Sequence, residues 1–203
     1  MRMGKLILVR HGESRGNRER IFAIDPAQLP LTDLGYQQAH AAGHQIATLF
    51  EPEVIVASPF VRARETARVI AQILRLPLEV EPQLYERDVG VLKGQSYDSL
   101  TIAADYDHAA PWAWKPEDGE SYVEVRARVA PVLDRLAAAH PCKDVVIVSH
   151  GGVMQTLWSH VTGDWRGAHA PANCGIVVIE HGPQGYSAPR IIGNVCSAAD
   201  AGG

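Results

Sequence analysis

Arg10-His11-Gly12 follows directly on the apolar run Leu6-Ile7-Leu8-Val9. A buried strand there would bring a guanidinium, an imidazole and a flexible turn to one point. Guanidinium forks match phosphate oxygens two at a time, and an imidazole can attack phosphorus and carry the phosphoryl group covalently. Two later segments repeat the order of strand then basic residue. Ser58-Pro59-Phe60-Val61-Arg62 follows the apolar stretch 54–57, and Ser149-His150-Gly151 follows the stretch 145–148. Glu86, shortly after Leu78–Val80, adds a carboxyl group able to protonate a leaving oxygen. Positive groups around a transferring phosphoryl group stabilise the charge of its transition state. Gly12 and Gly151 would let the backbone come close to an oxyanion.

Bringing these residues together requires a particular architecture. Residues 6–9, 54–57, 145–148 and 176–179 are short, β-branched and bounded by turn residues, which predicts buried strands. Leu78–Val80 and Arg190–Ile192 are weaker strand candidates. Thr32 is a plausible N-cap for a helix running to about Phe50. Ala63, Ala67, Ile70, Ala71 and Leu74 recur at helical spacing, as do Tyr122, Val125, Val129, Val132, Leu133 and Leu136 after a capping Ser121. Val153, Leu157 and Val161 mark a shorter helix. Strand alternating with helix predicts an α/β sandwich with a largely parallel sheet. In such sheets sites form at the carboxyl ends of strands, and right-handed crossovers put Arg10-His11, Arg62 and His150 on one edge.

Composition narrows the class. At 203 residues, with 46% hydrophobic and 21% charged residues, the chain is expected to form one soluble domain, 1–203. The net charge of −4 argues against a nucleic-acid or anionic-membrane partner. Cys142, Cys174 and Cys196 are too few and too scattered for a disulfide framework or a zinc site, which suggests a reducing, cytoplasmic setting. The apolar run ended by Arg10 is too short for a signal peptide. Residues 25–31 are expected to form a loop, and residues 197–203, all small or polar, a disordered tail. Residues 95–120 break the strand–helix rhythm and are expected to be an insertion covering the site. That stretch holds Asp98, Asp105, Asp107, Glu117, Asp118 and Glu120 against Lys115 alone.

Taken in order, Leu8-Val9-Arg10-His11-Gly12-Glu13-Ser14 with Asn17, Leu31-Thr32-Asp33-Leu34-Gly35 with Gln38-Ala39, Ala57-Ser58-Pro59 with Arg62-Ala63 and Glu65-Thr66-Ala67, Leu84-Tyr85-Glu86 with Gly90 and Gly94, Gly119-Glu120-Ser121, and Ser149-His150-Gly151-Gly152 resemble the histidine phosphatase (phosphoglycerate mutase-like) superfamily, in its phosphatase branch. The resemblance covers nearly the whole chain. It implies a three-layer sandwich with a six-stranded, mostly parallel sheet, no metal and no cofactor. It implies that His11 is the phosphorylated nucleophile, that Arg10, Arg62 and His150 hold the phosphoryl group, that Asn17 and the Gly151 backbone add contacts, and that Glu86 is the general acid.

Plainer roles compete for several of these residues. His11 could cap a strand end, His150 could be a satisfied core histidine, and Arg62 could pair with Glu65 or Glu53. Asp88 could be the acid in place of Glu86. His40 and His44 have the spacing of a helical metal pair, but no third ligand accompanies them, and a solvated face is expected. Glu13 is expected to pair or cap. Ser149-His150-Gly151-Gly152 resembles part of an esterase oxyanion loop, but a serine hydrolase is not expected. Trp112 and Trp114 could pack the insertion or face the substrate.

The expected activity is hydrolysis of a small phosphorylated metabolite through a phosphohistidine. A cofactor-dependent phosphoglycerate mutase and a non-catalytic binding member of the same fold are the alternatives. The acids of 95–120 argue for a substrate with one phosphate and a neutral or partly apolar remainder. Oligomeric state is left open, a homodimer included.

Overall fold

A computed structural model describes residues 3–25 and 29–192. The proposed tail at 197–203, Cys196 and Pro26 lie outside these residues. The strands are β1 (Gly4–Arg10), β2 (Pro52–Ala57), β3 (Leu78–Val80), β4 (Asp144–Ser149), β5 (Ile176–Gly182), β6 (Gly185–Tyr186) and β7 (Arg190–Ile192). The helices are α1 (Arg15–Glu19), α2 (Asp33–Leu49), α3 (Val61–Leu74), α4 (Tyr122–Ala139) and α5 (Gly151–Thr162).

The sheet runs β3-β2-β4-β1-β5-β6, with β7 also paired to β5. Its first four strands are mutually parallel, and β5, β6 and β7 add antiparallel pairings. The parallel half is what the alternation of strand and helix dictates. The chain leaves β4 at its carboxyl end, crosses α5, and returns through residues 163–175 to the same edge before entering β5. There Arg10 N–H donates to Gly175 O at 3.2 Å, which starts β5 beside the end of β1 and forces the antiparallel direction. The two-residue β6 is too short to leave a pattern in sequence and makes the seventh strand among the described residues.

Side-chain alternation splits the core into two layers. Leu6, Leu8, Val145 and Ile147 face Val125, Val129 and Leu133 of α4 and Val153, Met154 and Leu157 of α5. Ile7, Val9, Val146 and Val148 face Ile46 of α2 and Ala63, Ala67 and Ile70 of α3. Strands buried on both faces read as continuous apolar runs, as these do. The caps follow the side-chain chemistry. Thr32 Oγ1 accepts the Gly35 N–H at 3.1 Å, and Ser121 and Glu124 form a reciprocal capping box on α4. No helix among the described residues is long and apolar enough to cross a membrane.

Gly12 and Gly35 explain how α2 meets the Arg10-His11-Gly12 turn. A Cβ on Gly12 would collide with the Gly35 carbonyl, and one on Gly35 with the Glu13 carbonyl. The two backbones touch because neither residue has a side chain. Gly12 is therefore spent on packing against α2, which replaces the expected role beside an oxyanion. Gly35→Ala is expected to destabilise the fold by about 1–3 kcal/mol through overpacking, read as a lowered urea midpoint with an unchanged m-value. An unaltered midpoint would refute the close-approach argument.

Candidate active site

β4 sits between β2 and β1, and its carboxyl end is the meeting point. Ser58 N–H donates to Val148 O and His11 N–H donates to Ser149 O, each at 2.9 Å. Arg10 closes β1 in register with Ser149. Arg62 stands in the first turn of α3, and His150 is the N-cap residue of α5. Arg10, His11, Asn17, Arg62, Glu86 and Gly151 all line one cavity of about 420 Å³. The fully buried His150 lies behind it, with its ring centroid 5.1 Å from that of His11.

Hydrogen bonds decide which nitrogen of His11 can react. Nδ1 lies 2.7 Å from Gly12 O, which can only accept, so Nδ1 carries the proton. Nε2 then holds the lone pair, and it accepts from Arg62 Nε at 3.2 Å. Burial, then the Arg62 and Arg10 guanidiniums, hold His11 well below the usual histidine range. The ring is thus neutral and nucleophilic at neutral pH. Glu13 does not take part. Its Oε1 accepts from Thr32 Oγ1 at 2.7 Å and its N–H donates to Gln38 Oε1 at 2.8 Å, tying the turn to α2.

Several buried donors around His11 are unspent. Arg10 Nη1 donates to Pro171 O at 2.8 Å, but its Nε has no partner among the described residues, and neither does Arg62 Nη1. His150 Nε2 lies 2.7 Å from Ser58 Oγ. That oxygen also accepts the Phe60 N–H at 3.3 Å, and Nε2 is the one acceptor its own proton has among the described residues. His150 Nδ1 then bears the ring proton, and it too is unpartnered. Burial, then Arg62, keep His150 well below its ordinary value, so it is a neutral donor. Buried donors without partners are costly, and three of them near one imidazole suit an anion. Arg62 pairs with neither Glu65 nor Glu53. Glu65 Oε2 accepts the Leu31 N–H at 2.9 Å, and Glu53 binds His140 and Lys143.

Glu86 is placed by backbone donors. Its Oε2 accepts the Gly152 N–H at 3.1 Å and its Oε1 the Arg87 N–H at 2.8 Å. A Cβ on Gly152 would stand 2.5 Å from Glu86 Oε1, so the seat of Glu86 leaves no room for a side chain there. A Cβ on Gly151 would meet only ordinary contacts at 3.5 Å. Asp88 is otherwise engaged, with Lys93 Nζ at 2.7 Å and the Gly90 N–H at 2.8 Å. Arg128 clamps the segment bearing Glu86. It donates to the carbonyls of Gln83 and Tyr85 at 2.6 and 3.0 Å and to both carboxylate oxygens of Glu120 at 2.9 and 3.0 Å.

Asn17 lies in the cavity wall with its amide committed. Oδ1 accepts from Ser14 N–H at 3.1 Å and Asn173 Nδ2 at 3.2 Å, and Nδ2 donates to the Tyr97 hydroxyl at 3.2 Å. Tyr97 is a site residue that sequence reasoning missed, as is Asn173, whose Nδ2 also donates to His11 O at 2.9 Å. Neither carries a local signal. Ser58 and Gly152 lay inside recognised segments, but their functions depend on neighbours far away in sequence.

Of residues 95–120 only Tyr97 and Leu100 line the cavity. Asp98 pairs with Arg20, Asp107 caps the Ala109 N–H, and Glu120 binds Arg128. None of the six acids of this stretch reaches the cavity wall, which removes the argument from an acidic cover. Trp112 and Trp114 stay away from it as well. Trp112 stacks with Trp165 at 6.3 Å, and Trp114 is buried with Val89 and Leu92. His40 and His44 lie on the exposed face of α2.

An imidazole lone pair, unpaired guanidinium donors and a carboxylate meet at one strand edge, an arrangement chemically suited to phosphoryl transfer. Residues 6–191 match the histidine phosphatase superfamily (branch 1), and the chain belongs to that family. It is 30% identical to the glucosyl-3-phosphoglycerate phosphatase of Mycolicibacterium vanbaalenii over 80% of this chain and 76% of that one. It is 33% identical to a probable phosphoglycerate mutase of Enterobacter over 79% of this chain and 76% of that one. The solved structure of a mycobacterial glucosyl-3-phosphoglycerate phosphatase with VO3 superposes with a TM-score of 0.81 at 25% identity, covering 96% of this chain and 99% of that one.

Proposed function

We propose that the protein is a phosphomonoester hydrolase that works through a phosphohistidine on a small phosphorylated metabolite. The observation that carries this reading is the His11 Nε2 lone pair set among the unspent donors Arg10 Nε, Arg62 Nη1 and His150 Nδ1. His11 Nε2 attacks phosphorus, the bond from phosphorus to the ester oxygen breaks, and Glu86 supplies the proton the leaving alkoxide needs. Water then attacks the phosphohistidine with Glu86 taking its proton. The N–P bond breaks and inorganic phosphate leaves. Arg10, Arg62 and His150 hold the phosphoryl oxygens in both steps. The Gly151 backbone lies at the first turn of α5, where N–H groups have no partner inside the helix. Asn17 acts on the phosphate side of the cavity together with the Tyr97 hydroxyl it binds.

The arginines supply the positive charge, so the reading needs no metal and no cofactor. Residues 95–120 cover one side of the mouth through Tyr97 and Leu100. We place the reaction in the cytoplasm, where the free thiols Cys142 and Cys174 stay reduced. The test is a panel of phosphomonoesters that includes 3-phosphoglycerate, followed for phosphate release and for isomer formation in parallel. Phosphate release is expected to dominate. Conversion of 3- to 2-phosphoglycerate faster than hydrolysis of any monoester would replace the phosphatase reading by the mutase one. Phosphate-ligand binding without any turnover would favour the non-catalytic one.

A further inference from the structure

The cavity has two chemically different halves. Around His11 it is cationic and polar. Its outer wall is apolar and is made by Ile21, Phe22, Ile24, Leu29 and Leu100, with the Tyr97 ring between the two halves. This wall is built by two chain segments that run together. Phe22 N–H donates to Gln95 O at 2.9 Å, Gly94 N–H to Phe22 O at 3.0 Å, and Tyr97 N–H to Arg20 O at 2.8 Å. Phe22 also packs on Tyr97, with ring centroids 4.8 Å apart. Ile24 is held against Gly94 and remains 64% exposed at the cavity edge.

The charged residues of the outer half are already engaged. Lys93 is paired with Asp88 at 2.7 Å. Arg87 donates to Glu120 O at 2.7 Å and Trp114 O at 3.1 Å and lies 4.4 Å over the Tyr122 ring. Its Nη1 is the one buried side-chain donor of the cavity's outer half without a partner among the described residues. An apolar wall in a cavity marks binding surface, and of the wall's residues Ile24 is the exposed one. A phosphate seated on Arg10 and Arg62 leaves the remainder of the same cavity, this wall included, for the rest of its ester.

We infer that the wall made by Ile21, Phe22, Ile24, Leu29 and Leu100 binds the leaving group, and that the preferred substrates are monoesters of apolar alcohols without a second anionic group. This rests on the phosphatase reading. The n-alkyl phosphates from ethyl to octyl test it, because their leaving alkoxides differ little in basicity while their apolar area grows. kcat/KM is expected to rise about three- to fourfold per methylene over the first several members. Phosphoserine and 3-phosphoglycerate are expected to fall at least about 10-fold below butyl phosphate, since the wall offers a carboxylate no free cation except Arg87 Nη1. Ile24→Ser and Leu100→Ser are expected to flatten the chain-length slope. Turnover with a flat slope, an equal proportional loss across the series in both variants, or preference for the carboxylate-bearing substrates would overturn the inference and leave the phosphatase reading standing. Failure to hydrolyse any member, p-nitrophenyl phosphate included, would overturn both.

Discussion

His11→Ala is expected to lower turnover of every phosphomonoester by at least about 10⁴-fold, because the nucleophile and the covalent route disappear together. The residual rate would come from Arg10, Arg62 and His150, which still gather the phosphate. A phosphate-binding measurement should therefore show the variant occupied while it fails to turn over. In the unaltered protein a rapid quench should trap phosphate on His11 in an acid-labile, base-stable form. Turnover surviving in His11→Ala at more than about a tenth of the normal rate would rule out the nucleophile. The pH dependence follows from the same geometry. Burial and the two guanidiniums keep the His11 ring unprotonated down through the ordinary histidine range. The acid limb of kcat/KM arising from this ring should therefore fall below pH 6.5 rather than at it. An acid limb above that value would contradict the buried, cation-flanked environment.

Glu86→Gln separates chemistry from scaffolding. The glutamine amide oxygen can accept from only one of Gly152 N–H and Arg87 N–H, but Arg128 still holds the carbonyls of Gln83 and Tyr85, so the segment should stay in place. What is lost is the proton for the leaving group and the base for water. Alkyl phosphates, whose alkoxides leave poorly, should lose about 10²- to 10⁴-fold in kcat. p-Nitrophenyl phosphate, whose leaving group needs no proton, should lose less than about 10-fold in the phosphoryl-transfer step measured by single turnover. Equal losses for the two substrates would remove Glu86 from the acid role. Asp88 is poorly placed to replace it, since both its oxygens are held by Lys93 and one also accepts from the Gly90 N–H.

Local chemistry made much of the fold legible in advance. Residues 6–9 and 145–148 are apolar on both faces and β-branched, which is how a strand covered by helices on either side must read. Thr32 and Ser121 announce α2 and α4 because a hydroxyl ahead of an apolar-periodic stretch satisfies the first free N–H groups. The antiparallel entry of β5 was not legible. It depends on Gly175 meeting Arg10 after an irregular return through residues 163–175, a contact between residues far apart in sequence.

The same division holds at the site. Sequence alone put Arg10, His11, Arg62 and His150 at one edge, because parallel strands with right-handed crossovers leave their carboxyl ends together, and it left Glu86 as a residue able to join them. It could not determine what each atom does there. Which nitrogen of His11 keeps the lone pair is set by the Gly12 carbonyl and Arg62 Nε, the donor nitrogen of His150 by Ser58, and the seat of Glu86 by Gly152. Of the acids of 95–120, read as a cover from composition, Asp98, Asp107 and Glu120 turn instead to Arg20, backbone N–H groups and Arg128, none of the six lines the cavity, and the cavity's outer wall is apolar. Strand order follows from patterns repeated along the chain. Proton positions and side-chain direction follow from individual hydrogen bonds, and those exist only once the fold has brought distant residues within about 3 Å.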